Sequence, residues 1–342
     1  MAILVRKTVA VAGVAGIMVL GALLLSACAG VSIPGQAKQG RTLVIAEPVH
    51  SVGYAPIYAA ARKGYFAENG LKVEMLTATG GGHVPAVLSG EAWGFVGGPE
   101  SNAMAAQQKP DDKLVSIVNI VNRANVYLNS KKGTQPAGRS KQDMANFVRG
   151  KTIAASRHGG TPNLLVRWWL LDIGLDPEKD VRIEANADFA AGLTMVQQGA
   201  VDMSVTQEPG LSAGIRQGVW DEPFYSFVEL GDYAFSVVSV LNSSIQKEPE
   251  VARGFTKAVV KALEGFHNDR ALALEVIKAE FPSMDETGIK DSVDRAYADN
   301  IWSTDGFIAR DALDKNMDVV LKTGVFQGTY SYDELINMQF VR

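Results

Sequence analysis

The sequence predicts a two-lobed α/β body behind an N-terminal export address, and three observations lead there. Short apolar runs alternate with helix-like stretches from residue 42 to about residue 240, the pattern of a helix-covered parallel sheet. The same order restarts after residue 150, where Val196-Gln197-Gln198-Gly199 repeats Val87-Leu88-Ser89-Gly90 at an offset of 109 residues. At 342 residues the chain is also longer than one small domain requires.

Composition narrows the function classes. Lysine and arginine total 33 against 37 acidic residues, a net charge of −4 with no block of like charge, so no basic face for nucleic acid is expected. One cysteine rules out an intramolecular disulfide, and with four histidines it leaves too few soft ligands for a Cys/His zinc cluster.

Residues 1–27 contain no acid, a basic pair at Arg6 and Lys7, and an apolar or small run over 9–25, the three-part form of an export signal. Leu25-Ser26-Ala27-Cys28 follows, and it resembles the lipobox of bacterial lipoproteins, in which the cysteine thiol is diacylated before cleavage. On this reading Cys28 becomes the lipid-bearing N-terminus, and the body sits outside the plasma membrane, anchored there. An uncleaved membrane anchor and an ordinary secretory signal are the two alternatives. Residues 28–41 are small and polar with Pro34, as in a flexible tether. From Cys28 onward 31 basic residues face 37 acidic ones, a net −6.

The body opens on an apolar strand over 42–46 and a helical stretch over 53–69 that stops at Asn69-Gly70. Leu71, Val73 and Met75 then alternate with Lys72 and Glu74, a half-buried strand. A helix over 83–89, a strand over 93–96, a Gly97-Gly98-Pro99 turn, another helix and a strand over 114–121 complete the first series. The second series runs strand 151–155, helix 161–173, strand 181–184, helix 189–198 and strand 203–205. From Asn242 the chain is helical: Val251, Phe255, Val259, Leu263 and Phe266 form one apolar stripe, and Leu313, Met317, Val320 and Leu321 another. With no strands between them, these helices are expected to cover an existing lobe.

Open parallel sheets bind ligands beyond the carboxyl ends of their strands, where helix-start amides point into the crevice. Five such loops are rich in glycine and polar residues. They nominate His50, Ser51 and Tyr54 after the first strand; Gly82 and His83 after the second; and Gly98, Glu100 and Ser101 after the third. The later series nominates Arg157, His158, Gly160 and Thr161, then Gln207 and Glu208. Thr161 before Pro162 is expected to be an N-cap that leaves free amides for an acceptor. His50, His83 and His158 have no metal-ligand spacing, so hydrogen bonding to a polar ligand is expected and no metal or other cofactor. No GxSxG, Walker or dinucleotide fingerprint is present, so no catalytic residue is nominated. Tyr127 and Tyr233 are read as core or stacking residues.

Two segments carry a family resemblance. Gly53-Tyr54-Ala55-Pro56-Ile57-Tyr58-Ala59-Ala60 and Lys63-Gly64-Tyr65-Phe66-Ala67-Glu68-Asn69-Gly70-Leu71-Lys72-Val73-Glu74 resemble the opening of solute-binding proteins of the nitrate, sulfonate, taurine and thiamine-pyrimidine-precursor group. Leu88-Ser89-Gly90-Glu91, Arg149-Gly150-Lys151-Thr152-Ile153, Gly174-Leu175-Asp176-Pro177 and Gly199-Ala200-Val201-Asp202 follow in the family's order. The resemblance implies a type II periplasmic-binding-protein fold with two hinge crossings, with lobe I at 42–128 plus 238–342 and lobe II at 129–237. It also implies a monomer that delivers a small solute to an ABC permease and its ATPase without chemical change. Arg157 and Arg123 suit a sulfonate, nitrate or carboxylate, whereas His50, Glu100, Glu208 and Tyr54 suit a nitrogenous aromatic. The rival functions are a sensory lipoprotein and an enzyme like the fungal thiamine-pyrimidine synthase. The latter carries a cysteine-rich motif, which the single cysteine cannot supply.

Overall fold

The computed structural model describes residues 40–108, 110–185 and 188–341, so the export signal, Cys28 and all of the tether before Gly40 lie outside the described residues. The first series comprises β1 (Arg41–Glu47), α1 (Ala55–Arg62), α2 (Tyr65–Glu68), β2 (Leu71–Thr77), α3 (His83–Leu88), β3 (Gly94–Gly97), α4 (Glu100–Ala106) and β4 (Leu114–Val121). The second comprises β5 (Tyr127–Ser130), α5 (Lys141–Val148), β6 (Thr152–Ala154), α6 (Thr161–Asp172), β7 (Arg182–Glu184), α7 (Phe189–Gln198), β8 (Met203–Thr206), α8 (Gly210–Arg216) and β9 (Tyr225–Ser226). The chain then passes through β10 (Ser236–Leu241) into α9 (Asn242–Lys247), α10 (Pro249–Asn268), α11 (Arg270–Glu280), α12 (Glu286–Ala298), α13 (Arg310–Lys322) and α14 (Tyr332–Leu335).

These strands make two five-stranded sheets, ordered β2-β1-β3-β10-β4 and β7-β6-β8-β5-β9. The sheets are mixed rather than wholly parallel: β10 runs antiparallel to both β3 and β4, and β5 runs antiparallel to both β8 and β9. Each reversed strand is the one by which the chain enters a sheet from the other, so it arrives from the opposite end. No local residue pattern encodes that direction. β4 is buried along its whole length, as a strand covered on both faces must be. β2 at the edge keeps the half-buried alternation of its sequence.

Local chemistry sets the boundaries. The helical stretch over 53–69 is split in two because Gly64 takes a left-handed φ of 75°, which lacks a Cβ penalty only in glycine. Ser140 caps α5 through a capping box with Asp143, and Asp188 and Asp285 accept the first free amides of α7 and α12. On α10 the stripe Phe255, Val259, Leu263 and Phe266 is fully buried, packing the helix on α1, α2 and β4. Leu321, expected on the buried stripe of α13, is instead 38% exposed. It follows Val320 by one residue, a rotation of about 100° around the helix that carries it off the covered face. The C-terminal helices do more than cover the first sheet: α12 also packs on α8 and α13 on α6, both helices of the second.

Candidate functional site

The parallel strands bring the predicted loops to the carboxyl ends of their sheets, and the two sets of loops touch. Thr161 donates its hydroxyl to Glu100 Oε1 at 2.6 Å, joining α6 to α4. The Arg157 guanidinium lies against Gly81, where a Cβ would stand 3.2 Å from Cζ. Gln207 Nε2 donates to Asn125 Oδ1 at 3.2 Å, tying the loop after β8 to the segment between the sheets. Further bonds join the second sheet's helices and loops to the C-terminal helices: Trp168 Nε1 to Asp318 at 2.9 Å, Arg216 to Asp291 at 2.5 Å, and Arg295 to Glu222 at 2.8 Å. The void left among Gly53, Asn125, Tyr127, Glu208 and Arg295 is about 10 Å³, room for one water.

Glu100 is the centre of the contact. It stands in the first turn of α4, where an acid is favoured by the helix dipole, and is only 2% exposed. Oε2 accepts from Asn316 Nδ2 on α13 at 2.8 Å. Burial raises its carboxyl pKa, an effect opposed by the bonds from Thr161 and Asn316 and by the charge of Arg157. Gly98 makes room for it, since a Cβ there would fall 2.0 Å from Oε2. Ser101, half-buried, donates its backbone amide to Gly98 O.

His83 opens α3 behind Gly82 and packs edge-on to Phe95 at 5.4 Å. It is buried, Nδ1 has no hydrogen-bond partner among the described residues, and burial followed by the Arg157 charge holds its pKa down to about 4. A neutral imidazole with a free ring nitrogen therefore stands near Arg157.

Thr161 does not cap α6 as expected. Gly160 is the N-cap residue, with extended backbone and no side-chain cap, while the Thr161 hydroxyl is engaged by Glu100. As the first helical residue, Thr161 stands one position past the cap, and its hydroxyl proton goes instead to the carboxylate in a charge-assisted bond. Arg157 and His158 are exposed, and Arg157 Nη1 donates to the His158 carbonyl.

The first loop divides its residues between two tasks. Tyr54 is buried and hydrogen-bonded to Ser236, and Ser51 Oγ accepts from the Gly53 amide. His50 is turned away to a separate cluster, with its ring between Tyr58 at 4.6 Å and Phe281 at 4.8 Å. Its Nδ1 meets Glu47 at 3.0 Å and its Nε2 lies 3.5 Å from Glu280. The hydrogen bond to Glu47 raises its pKa. Glu47, fully buried at the end of β1, also accepts from Tyr58 at 2.5 Å and Thr77 at 2.9 Å. Glu208 accepts from the Ser212 hydroxyl at 2.7 Å and lies 3.7 Å from Arg295. The predicted residues thus fall into a contact group around Glu100, a first-loop cluster around Glu47, and a third group at Gln207 and Glu208. Among the described residues no three His, Cys, Asp or Glu side chains meet as a metal-ligating group.

Asn316, Asn125, Arg295 and Glu47 were missed by sequence reasoning. Glu47 left a local signal, an acid closing an apolar strand. Asn316 left a weaker one, a polar residue beside Leu313 and Met317 on an apolar helix face. Nothing local marked Asn125 or Arg295.

The NMT1-like family matches this chain over residues 48–279, from the first strand-end loop through both sheets and into α11. The chain belongs to the NMT1-like family. Among curated relatives, the Bacillus subtilis (strain 168) protein YtlA is 26% identical over 311 residues, spanning 88% of this chain and 90% of that one. Solved structures share the fold. A ligand-binding component of an ABC-type import system from Staphylococcus aureus superposes with a TM-score of 0.70 at 14% identity, covering 88% of this chain and 98% of that one. The nitrate-binding protein NrtA from Synechocystis PCC 6803 gives 0.69 at 14%, covering 88% and 87%. The aliphatic sulphonate binding protein SsuA from Escherichia coli gives 0.66 at 15%, covering 87% and 92%. This NMT1-like chain therefore has the periplasmic-binding-protein fold, with two α/β sheets and two crossings between them.

Proposed function

We propose that this chain is the solute-binding protein of an ABC importer, holding a small polar organic solute between the strand-end loops of its two sheets and releasing it unchanged to a permease. The observation that carries the reading is the meeting of those loops at Glu100–Thr161 and Arg157–Gly81 in a chain of this family. Pockets for small molecules span roughly 300–1,000 Å³, whereas these loops stand in hydrogen-bond and van der Waals contact, so solute entry between them requires the two lobes to part. The expected bounds, 42–128 with 238–342 and 129–237, each fall inside a strand, β5 (Tyr127–Ser130) and β10 (Ser236–Leu241), within two residues of where the chain changes sheet. The segments over 122–126 and 231–235 carry the chain between sheets and serve as the hinge. Solute stabilises the closed form by its difference in affinity for the two states.

The lipobox at Cys28 supports an extracytoplasmic site of action, with the body tethered to the membrane as a monomer. Changing Cys28 to serine is expected to move the protein from the membrane fraction to the soluble one while leaving its thermal melt unchanged. Retention in the membrane would argue for an uncleaved anchor instead.

The function itself is tested by a thermal-shift panel of anions, amines and heterocycles on the full chain in detergent. A true solute at a hundred times its dissociation constant adds about 2.7 kcal/mol of stability and leaves its own structure intact on recovery. No shift across the panel, or recovery of a converted compound, would overturn the proposal.

A further inference from the structure

The contact group around Glu100 is rich in acceptors and poor in charge compensation. Among the described residues no Lys, Arg or His nitrogen comes within ion-pair distance of Glu100; its partners are a threonine hydroxyl, an asparagine amide and its own backbone N–H. Asn316 Nδ2 is committed to Glu100 Oε2, to the Ala234 carbonyl at 3.2 Å and to the Tyr233 hydroxyl at 3.4 Å. That commitment settles the amide's orientation, because a flipped group would set Oδ1 against a carboxylate and a carbonyl. Asn316 Oδ1, 1% exposed, then has no partner among the described residues, and His83 Nδ1 has none either. Buried acceptors left unpaired cost about 1–3 kcal/mol each, and a buried carboxylate without a cation costs more.

We infer that the solute carries a protonated nitrogen, an ammonium or amidinium, which enters between the loops with its N–H groups on Glu100. A carboxylate, sulfonate or nitrate at this point would meet an uncompensated acid. Arg157 offsets part of that charge, but it is exposed and forms no ion pair with Glu100. The inference rests on the solute-binding reading and sharpens it to one charge class.

Matched pairs test it on the full chain in detergent: benzamidine against benzoate, and ethylammonium against ethanesulfonate, each titrated by calorimetry and thermal shift. The cation of each pair is expected to bind at least tenfold more tightly than its anion. Glu100→Gln should weaken the cation at least thirtyfold, leave the unliganded melt within a few degrees, and not weaken the anion. Gly98→Ala, which displaces the same carboxylate without removing it, should weaken the cation in the same direction. Tighter binding of the anions overturns the inference while leaving the solute-binding reading intact, as does cation binding indifferent to Glu100→Gln. If neither member of either pair binds, the inference falls; whether the reading falls with it is then decided by the wider panel above.

Discussion

Replacing Trp220 with alanine is expected to lower stability by about 3–5 kcal/mol, the range for deleting a large buried aromatic. Trp220 is 1% exposed and sits in the core cluster of the second sheet with Tyr127, Ala154, Val196, Val201, Leu211 and Val219. Two losses add to the apolar transfer term. The indole Nε1 donates to the Leu211 carbonyl at 2.9 Å, so its removal also forfeits a buried hydrogen bond. The ring also fills the space over Gly214, where even a Cβ would lie 2.1 Å from Cε2, and α8 cannot move in to fill the gap without losing its own packing. Gly214→Ala attacks the same contact from the other side and should destabilise by overpacking. Urea denaturation of the two variants and of Trp220→Phe checks the argument. If Trp220→Ala cost less than about 1 kcal/mol, the indole would not be the keystone of that core.

His83 is expected to make the protein acid-sensitive. Its folded pKa is about 4 against an ordinary value of 6.5, because burial and then Arg157 disfavour the charged ring. Between those values the unfolded chain binds more protons than the folded one, so stability rises with pH there. The contribution is whole above pH 6.5 and is lost as the pH falls toward 4, reaching about 2–3 kcal/mol near pH 4.5. His50 works in the opposite sense: its raised pKa gives a contribution present below pH 6.5 and lost as the pH rises through the folded value. That ring is partly exposed, so solvent screens it and its effect is the smaller one. Urea midpoints measured from pH 4.5 to 7.5 should fall more steeply on the acid side for the wild type than for His83→Gln. Parallel curves would mean that the imidazole takes up its proton without disturbing the fold.

Much of the architecture could be read from the chain because the signals are local. The alternation over 71–75 is a half-buried strand wherever it is placed, and β2 carries it. Gly199 ends α7 in a left-handed conformation for the same reason that it ends a helix elsewhere. The strand-end loops were legible too, since glycine and polar residues collect where a strand turns into a helix. The partners of their side chains were not. His50 and Glu100 were nominated on equal terms, yet one is held among Glu47, Tyr58 and Phe281 and the other faces Thr161 and Asn316.

The amino-acid sequence alone determined much of the alternation of strands and helices, though not β5, α5, α8 or β9, together with the position of the strand-end loops and the restart of the pattern in a second sheet, because periodicity, turn chemistry and capping act within a few residues. Only the tertiary structure decided that β5 and β10 run against their neighbours. It also decided that Thr161 serves a carboxylate rather than its own helix, and that Asn316 reaches Glu100 across 216 residues of chain. Those outcomes depend on which surfaces the packed sheets bring within about 3 Å of one another, the reach of a hydrogen bond, and no local segment contains that information.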